Sequence, residues 1–304
     1  MNRAVPAIAF IGVGELACSL AAGMTAAGAG DVRGYSRPRS DPTASRIQRE
    51  RAAAARVALC ASLHEAVSDA TVVIAAVPAS AALEVATAAA PLLTRNAIYV
   101  DTAPLAPADK LAAAQTVASA GGMFVDAAVL GTVATEGARV PLLCAGPGAQ
   151  AWSELAVTLG LNVTVLSGPP GQAARVKLLR SVYLKGRDAL VMEMLLAARA
   201  HGIEQTVVDS IQGAGERVPF PQLADRIVCA MAVHAGRRAD ELAMSAQLLR
   251  SSAVEPIVSE AGSKRLRWIA ELGLREHFDG QRPQDPQVVL LAIDALLARR
   301  AGST

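Results

Sequence analysis

The feature that most constrains this chain is a glycine turn that separates a short apolar run from an alanine-rich stretch. The run Ala7–Ile11 leads into the hexapeptide GVGELA at residues 12–17, which matches the pattern G-x-G-x-x-G/A. Helix-forming residues continue over Glu15–Ala27, and a second apolar run follows at Val32–Tyr35. An apolar strand that enters a helix through such a turn predicts the first βα unit of a parallel sheet.

The same alternation continues through the first half of the chain. Further strands are predicted at Thr71–Val77, Ala97–Asp101, Met123–Val129, Pro141–Ala145 and Asn162–Leu166. Helical stretches separate them, at Thr43–Val57, Ser80–Ala90 and Pro107–Ala120. Runs such as TVVIAAV are apolar at consecutive positions, which is typical of strands that are buried on both faces.

After the sequence SGPPG, at residues 167–171, the strand signals stop and the pattern becomes helical to the end. We therefore expect an α/β protein in which a Rossmann doubly wound, mostly parallel sheet is followed by an all-α domain. The expected domains are residues 1–167 for nucleotide binding and 168–304 for substrate binding and dimerisation.

The glycine turn in this context predicts a dinucleotide site. Its first glycine permits the tight turn, and its second lets the backbone approach a pyrophosphate at the helix N-terminus. Ligands of such sheets bind at the carboxyl ends of the strands. An ordinary βα turn is the alternative interpretation. The predicted cofactor-binding residues are Gly12, Val13, Gly14, Glu15, Leu16, Ser36, Arg37, Val77, Pro78 and Thr102.

The end of the second strand favours NADP over NAD. An NAD site usually has an acidic residue there for the ribose 2′-hydroxyl, and this chain has Ser36 and Arg37, with Arg39 close by. A hydroxyl and a guanidinium bind a 2′-phosphate that a carboxylate would repel. The alternative is that the arginines are solvated loop charges. The missing acid also disfavours a methyltransferase that uses S-adenosylmethionine.

Composition excludes several classes of partner. Net charge is only +2 and aromatic residues make up 3%, so we expect neither nucleic acid nor membrane binding. Four scattered cysteines and four histidines without metal-ligand spacing predict reduced thiols and no metal site. The first residues lack the pattern of a signal peptide, so we expect a cytoplasmic location.

Three further stretches carry a resemblance to a family. They are VDTAP at residues 100–104, FVDAAVLGT at 124–132 and GPPGQAARVKLLRS at 168–181. In this order they resemble the β-hydroxyacid dehydrogenases, which include 3-hydroxyisobutyrate dehydrogenase and are related to 6-phosphogluconate dehydrogenase. The segments KGRDAL, MLLAARAHGI and HAGRRADEL resemble a branch with a shorter helical domain of the 6-phosphogluconate dehydrogenase type.

The resemblance implies an NADP(H)-dependent oxidoreductase that interconverts a small hydroxy acid and its oxo form. It assigns Lys177 as the general acid/base. It also implies that a substrate carboxylate binds the amides of Gly131 and Thr132. Leu130 and Ser181 replace a serine and an asparagine that are usual in the family, and Arg180 either pairs with an anionic substrate or points to solvent.

Two other functions stay open. Imine reductases share this architecture, although they usually have Asp or Tyr in place of the lysine. A non-catalytic NADPH-binding sensor is the other, because Leu130 and Ser181 depart from the family pattern. The resemblance further implies a homodimer that forms through the helical domain.

Overall fold

The computed structural model describes residues 6–38, 40–213 and 217–302. The chain divides into two compact units, Met1–Arg180 and Ser181–Thr304. The sequence suggested a boundary near Ser167, whereas this division lies inside the helix Gln172–Ala200. The difference has a physical reason, because the first turn of that helix is hydrogen-bonded to a strand of the first unit.

Within the described part of the first unit, eight strands form one sheet in the order β3-β2-β1-β4-β5-β6-β7-β8. All neighbours are parallel except β6 and β7, which are antiparallel. This sheet confirms the predicted mostly parallel, doubly wound architecture. The strands are β1 Ile8–Ile11, β2 Val32–Tyr35, β3 Val57–Leu59, β4 Val72–Ala75, β5 Ile98–Asp101, β6 Met123–Val129, β7 Leu142–Ala145 and β8 Val163–Val165.

Helices connect these strands and cover both faces of the sheet. They are α1 Glu15–Ala26, α2 Pro42–Ala54, α3 Leu63–Val67, α4 Ala79–Ala89, α5 Pro107–Ser119, α6 Val133–Glu136 and α7 Ala149–Thr158, with 3-10 turns at Ala90–Leu92 and Gly137–Arg139. The capping signals are local: the Asp41 side chain accepts a hydrogen bond from the amide of Thr43 at the start of α2.

Strand β3 was not predicted, and its first residue lay in the helix expected over Thr43–Val57. Helix α2 ends at Ala54, and Arg56 has a positive φ of 55° that turns the chain into β3. A strand of three residues is too short for a period-2 pattern to stand out in the sequence.

The core of this unit consists of one apolar layer on each face of the sheet. Strand β1 shows the arrangement, because Ile8 and Phe10 join one cluster and Ala9 and Ile11 join the other. Alternate residues of a strand point to opposite faces, so continuous apolar runs are required here. Both faces are therefore used for packing, and a ligand must bind at the ends of the strands.

The second unit is helical in its described residues. Helix α8 Gln172–Ala200 runs into it from the first unit, and the elements that follow are α9 Glu204–Ile211, α10 Phe220–Ser251, α11 Ile257–Ala270, α12 Leu274–His277 and α13 Pro286–Ala301. An apolar cluster that includes Ala232, Leu272 and Val289 forms its core. Among the described residues, no helix combines the length and the apolar character needed to cross a bilayer.

Candidate functional site

The two glycines of the turn between β1 and α1 have different structural roles. Gly12 has a φ of +86°, and a Cβ atom there would lie 2.4 Å from the carbonyl oxygen of Ala76. A Cβ atom on Gly14 would meet no heavy atom within 4 Å. Gly12 is therefore needed for the fold of the turn, whereas Gly14 leaves open space beside the start of α1.

The peptide groups of this turn are held by three hydrogen bonds. The amide of Gly12 donates to the carbonyl oxygen of Tyr35 at 2.8 Å. The amide of Val13 donates to Ser36 Oγ at 2.6 Å, and the carbonyl oxygen of Val13 accepts from Gln48 Nε2 at 3.2 Å. Ser36 thus supports the turn directly, a role that the sequence did not indicate, and its hydroxyl keeps a proton to donate.

Arg37 follows Ser36 and pairs with Glu84 on α4. Both side chains are about two-thirds exposed, at 65% and 63%, so the pair is open to solvent. Exposed pairs of this kind contribute little to stability, and a bound anion would compete with Glu84 for the guanidinium. Arg39 lies outside the described residues.

A cavity of about 780 Å³ lies at the carboxyl ends of β1, β2, β4 and β5. Its volume is in the range of ligand pockets. All ten residues predicted to bind the cofactor line it, and Lys177 lines it as well. Lining residues that sequence reasoning missed include Gln48, Ala81, Val85, Pro104 and Val129.

Lys177 lies near the beginning of α8 and is half-buried. Burial lowers the pKa of Lys177 below its usual value. The charge of Lys110 lowers this pKa further, Asp126 opposes the change, and Arg180 adds to it. An amine with a lowered pKa exchanges protons more readily near neutral pH, which suits a general acid/base.

Two of the charged groups near Lys177 belong to a buried cluster that the sequence did not reveal. Lys110 Nζ lies 3.3 Å from a carboxylate oxygen of Asp101 and 3.3 Å from one of Asp126. It also donates to the carbonyl oxygen of Asp101 at 2.8 Å. Burial is the main cause that raises the pKa of the Asp101 carboxyl, and Lys110 opposes it.

The residues predicted to bind substrate are not among the residues that line the cavity. Gly131, Thr132 and Arg180 are exposed. Leu130 and Ser181 are half-buried. Leu130 begins the loop that follows β6. Leu130 packs beside a small apolar cluster that includes Ala128 and Ala173.

The amide of Thr132 already has an acidic partner. It donates to Glu136 Oε2 at 2.9 Å, and a Cβ atom on Gly131 would lie 1.8 Å from that oxygen. The carboxylate of Glu136 therefore occupies the space beside the two residues that were expected to bind a substrate carboxylate. A substrate carboxylate would have to displace Glu136 first.

These features fit a dinucleotide. The open space at Gly14 allows close approach of a pyrophosphate to the start of α1, where backbone amides and the helix dipole favour negative charge. Strand β2 ends at Tyr35, and neither this residue nor Ser36 and Arg37, which follow it, carries a carboxylate. The chemistry of the cavity wall therefore suits a nucleotide with several negative charges.

Family models match both parts of the chain. The NAD binding domain of 6-phosphogluconate dehydrogenase matches residues 7–160. A domain of unknown function, DUF1932, matches residues 198–269.

Solved structures extend the likeness over most of the chain. A conserved hypothetical protein from Sinorhizobium meliloti 1021 is 30% identical, covers 97% of this chain and 98% of its own, and has a TM-score of 0.60. A conserved protein of unknown function, described as structurally similar to 3-hydroxyacid dehydrogenases, is 30% identical with coverages of 86% and 97% and a TM-score of 0.58. An imine reductase from Myxococcus stipitatus in complex with NADP+ is 16% identical, with coverages of 88% and 95%; its TM-score of 0.72 indicates a shared fold.

Proposed function

Because the chain belongs to the family defined by the NAD binding domain of 6-phosphogluconate dehydrogenase, we propose that it is an NADP(H)-dependent oxidoreductase acting on a small hydroxy acid and its oxo form. The observation that carries this proposal is that Lys177 lines the same cavity as the glycine turn. An acid/base group and a dinucleotide turn on one cavity are the two parts that such a reaction requires.

The nicotinamide supplies or accepts the hydride when it is bound. In the direction of reduction, the Lys177 ammonium donates a proton to the substrate oxygen as negative charge develops there. In the direction of oxidation, the neutral amine takes the proton of the substrate hydroxyl. The lowered pKa of Lys177 supports both steps, because burial weakens its hold on the proton.

The preference for NADP over NAD rests on Ser36 and Arg37. Arg37 lines the cavity and, among the residues that the structure describes, pairs with Glu84 in an exposed ion pair that a phosphate can replace. The Ser36 hydroxyl accepts from Val13 and can donate its own proton to a phosphate oxygen. We propose that these two groups recognise the 2′-phosphate.

A second function is favoured by one specific observation. The carboxylate of Glu136 holds the amide of Thr132, which suits a substrate that has no carboxylate at this position. A neutral or cationic imine is such a substrate, and the likeness in fold to an imine reductase is consistent with it. Lys177 argues for the hydroxy acid, since a lysine readily protonates a developing alkoxide.

The test is turnover of NADPH with a panel of small oxo acids and a panel of cyclic imines. We expect NADPH oxidation with at least one oxo acid and weaker activity with imines. Turnover of imines alone would replace the proposed substrate class with the second one. Tight binding of NADPH without turnover of either panel would support a sensor and contradict an enzyme.

We further propose a homodimer that forms through the helical unit. Among the described residues, most exposed large apolar side chains lie at or beyond Val176, and Val182 is 72% exposed. Such side chains are typical of surfaces that a partner covers. Light scattering should give the mass of a dimer, and a monomer at micromolar concentration would contradict this proposal.

A further inference from the structure

Two buried carboxylates lie side by side in the sheet of the first unit. Asp101 on β5 and Asp126 on β6 are register partners, and they are 2% and 0% exposed. The ammonium of Lys110 on α5, itself 1% exposed, contacts both of them. The ammonium between the two carboxylates offsets their mutual repulsion. Its attraction to them also compensates for the solvation free energy that all three charges lose on burial.

The second oxygen of Asp126 is bonded to the beginning of α8. Asp126 Oδ2 accepts hydrogen bonds from the amides of Gly171 and Ala174, each at 3.0 Å. Gly171 has a φ of +95°, and a Cβ atom there would lie 2.7 Å from the carbonyl oxygen of Pro107, the first residue of α5. The first turn of α8 is therefore held against β6 and α5 at the same time.

The hydrogen bonds from the amides of Gly171 and Ala174 to Asp126 orient the side of α8 on which Lys177 lies. Lys177 follows Ala174 by three residues and Ala173 by four, and residues at these spacings share one side of a helix. Helical side chains lean toward the N-terminus, so the Lys177 side chain extends toward the turn that Asp126 holds. Among the described residues, the charged groups that act on its ammonium include Lys110 on α5, Asp126 on β6 and Arg180 on α8 itself.

We propose that Asp126 is a positioning residue for Lys177, with Lys110 as its buried counter-ion. Asp126 fixes the first turn of α8 and thereby the reach of Lys177 into the cavity, and the cluster sets the charge that the lysine experiences. This inference rests on the proposed acid/base role of Lys177. It assigns a function to two buried ionisable residues, Asp126 and Lys110, that are not among the residues lining the cavity.

The first experiment compares Asp126→Asn with a matched control, Asp101→Asn. Both variants remove one buried carboxylate from the same cluster, so both should lower the melting temperature by similar amounts. Only Asp126 bonds α8, so only Asp126→Asn should lower kcat, by roughly tenfold or more, since misplacement of a reacting group by about 1 Å can cost about 100-fold. The Kd for NADPH should stay within about twofold in both variants, because the glycine turn is untouched.

The pH profile supplies a readout that a merely structural role would not move. In the direction of reduction, kcat/KM falls as pH rises through the pKa of Lys177, because the ammonium is the proton donor. The negative charge of Asp126 raises this pKa. The Asp126→Asn substitution should therefore move the alkaline limb to lower pH, by about one unit.

Lys110→Met is a second variant, and it should move the limb the other way. Removal of the ammonium leaves two adjacent carboxylates, and one of them must take up a proton. Asp101 is the one expected to do so, because its pKa is already raised and it accepts one backbone amide where Asp126 accepts two. Lys177 then loses the repulsion of Lys110 and keeps the attraction of Asp126, so the alkaline limb should move to higher pH.

We expect the alkaline limb to shift in opposite directions in Asp126→Asn and Lys110→Met. We also expect the kcat of Asp101→Asn to stay close to the wild-type value. Equal losses of kcat in Asp126→Asn and Asp101→Asn, or shifts of the same sign in Asp126→Asn and Lys110→Met, would overturn the inference. Should Asp126→Asn fail to fold, an unchanged alkaline limb in Lys110→Met is sufficient to overturn it. A Lys177→Ala variant distinguishes failure of this inference from failure of the proposed function. Normal turnover in that variant contradicts the proposed function itself.

Discussion

The two glycines of the turn should respond in opposite ways to the same added methyl group. In Gly14→Ala, the new Cβ atom meets no neighbour within 4 Å, and the backbone φ of −100° is accessible to alanine. In Gly12→Ala, it lies 2.4 Å from the Ala76 carbonyl oxygen at a φ of +86°. The first change should affect the ligand, and the second should affect the fold.

The expected magnitudes differ enough to be measured. Gly14 is the N-cap of α1, so Gly14→Ala should cost up to about 1 kcal/mol of unfolding free energy. The left-handed backbone of Gly12→Ala costs about 1–2 kcal/mol, and overpacking adds about 1–3 kcal/mol. Loss of one charged hydrogen bond to a pyrophosphate, worth about 1.5–3 kcal/mol, should weaken NADPH binding by Gly14→Ala roughly 10- to 100-fold.

Thermal unfolding and a fluorescence titration with NADPH measure the two effects separately. We expect Gly14→Ala to melt within a few degrees of wild type and to bind NADPH poorly, since 1 kcal/mol shifts a melting temperature by about 2–4 °C in proteins of about 150–250 residues and by less in larger ones. Wild-type affinity in Gly14→Ala would refute the assignment of the turn to the pyrophosphate. A loss of stability equal to that of Gly12→Ala would refute the reasoning from the open space.

The remaining predictions concern selectivity. Arg37→Ala should weaken NADPH binding by about 1–3 kcal/mol and leave NADH binding nearly unchanged; equal weakening of both would remove Arg37 from recognition of the 2′-phosphate. Glu84→Gln frees Arg37 from an exposed pair worth about 0.2–1 kcal/mol, so titration should show NADPH binding that is tighter by about 1.4- to 5-fold; no change would show that the pair does not compete. Glu136→Ala exposes the amide of Thr132 and should lower the KM for oxo acids about fivefold or more without lowering that for imines; an unchanged KM for oxo acids would argue that the carboxylate binds elsewhere.

The sheet and the residues that line the cavity at its edge could be predicted because their signals are local. Apolar runs of consecutive residues identify strands that are buried on both faces, and the pattern of the turn at Gly12 and Gly14 depends on six neighbouring residues. The topology of a parallel sheet then brings the carboxyl ends of its strands together. This is why Val77, Pro78 and Thr102 line the same cavity as the turn.

The buried cluster could not be predicted because it depends on contacts between distant segments. Lys110 lies in the alanine-rich stretch ADKLAAAQ, where a lysine normally indicates the exposed face of a helix. Only the packing of α5 against β5 and β6 buries it between two carboxylates. Asp101 and Asp126 lie within two of the three stretches that carry the family resemblance, but nothing local shows that they are register partners.

The Glu136 contact left a faint signal that the sequence analysis did not use. Glu136 follows Thr132 by four positions, one more than the spacing of a capping box, in which the glutamate at the third helical position bonds the N-cap amide. Ser36 was likewise considered only as a partner for phosphate, whereas its hydroxyl also holds Val13. Both cases show that a backbone amide near a ligand site can already be occupied by the chain itself.

The central claim is that Lys177 exchanges the proton while the nicotinamide exchanges the hydride. The most direct measurement is the rate of NADPH oxidation by Lys177→Ala with the best oxo acid, beside its Kd for NADPH. We predict a kcat that is lower by about 10²–10⁴ with an unchanged Kd. A variant that binds NADPH normally and turns over at nearly the wild-type rate would contradict the claim.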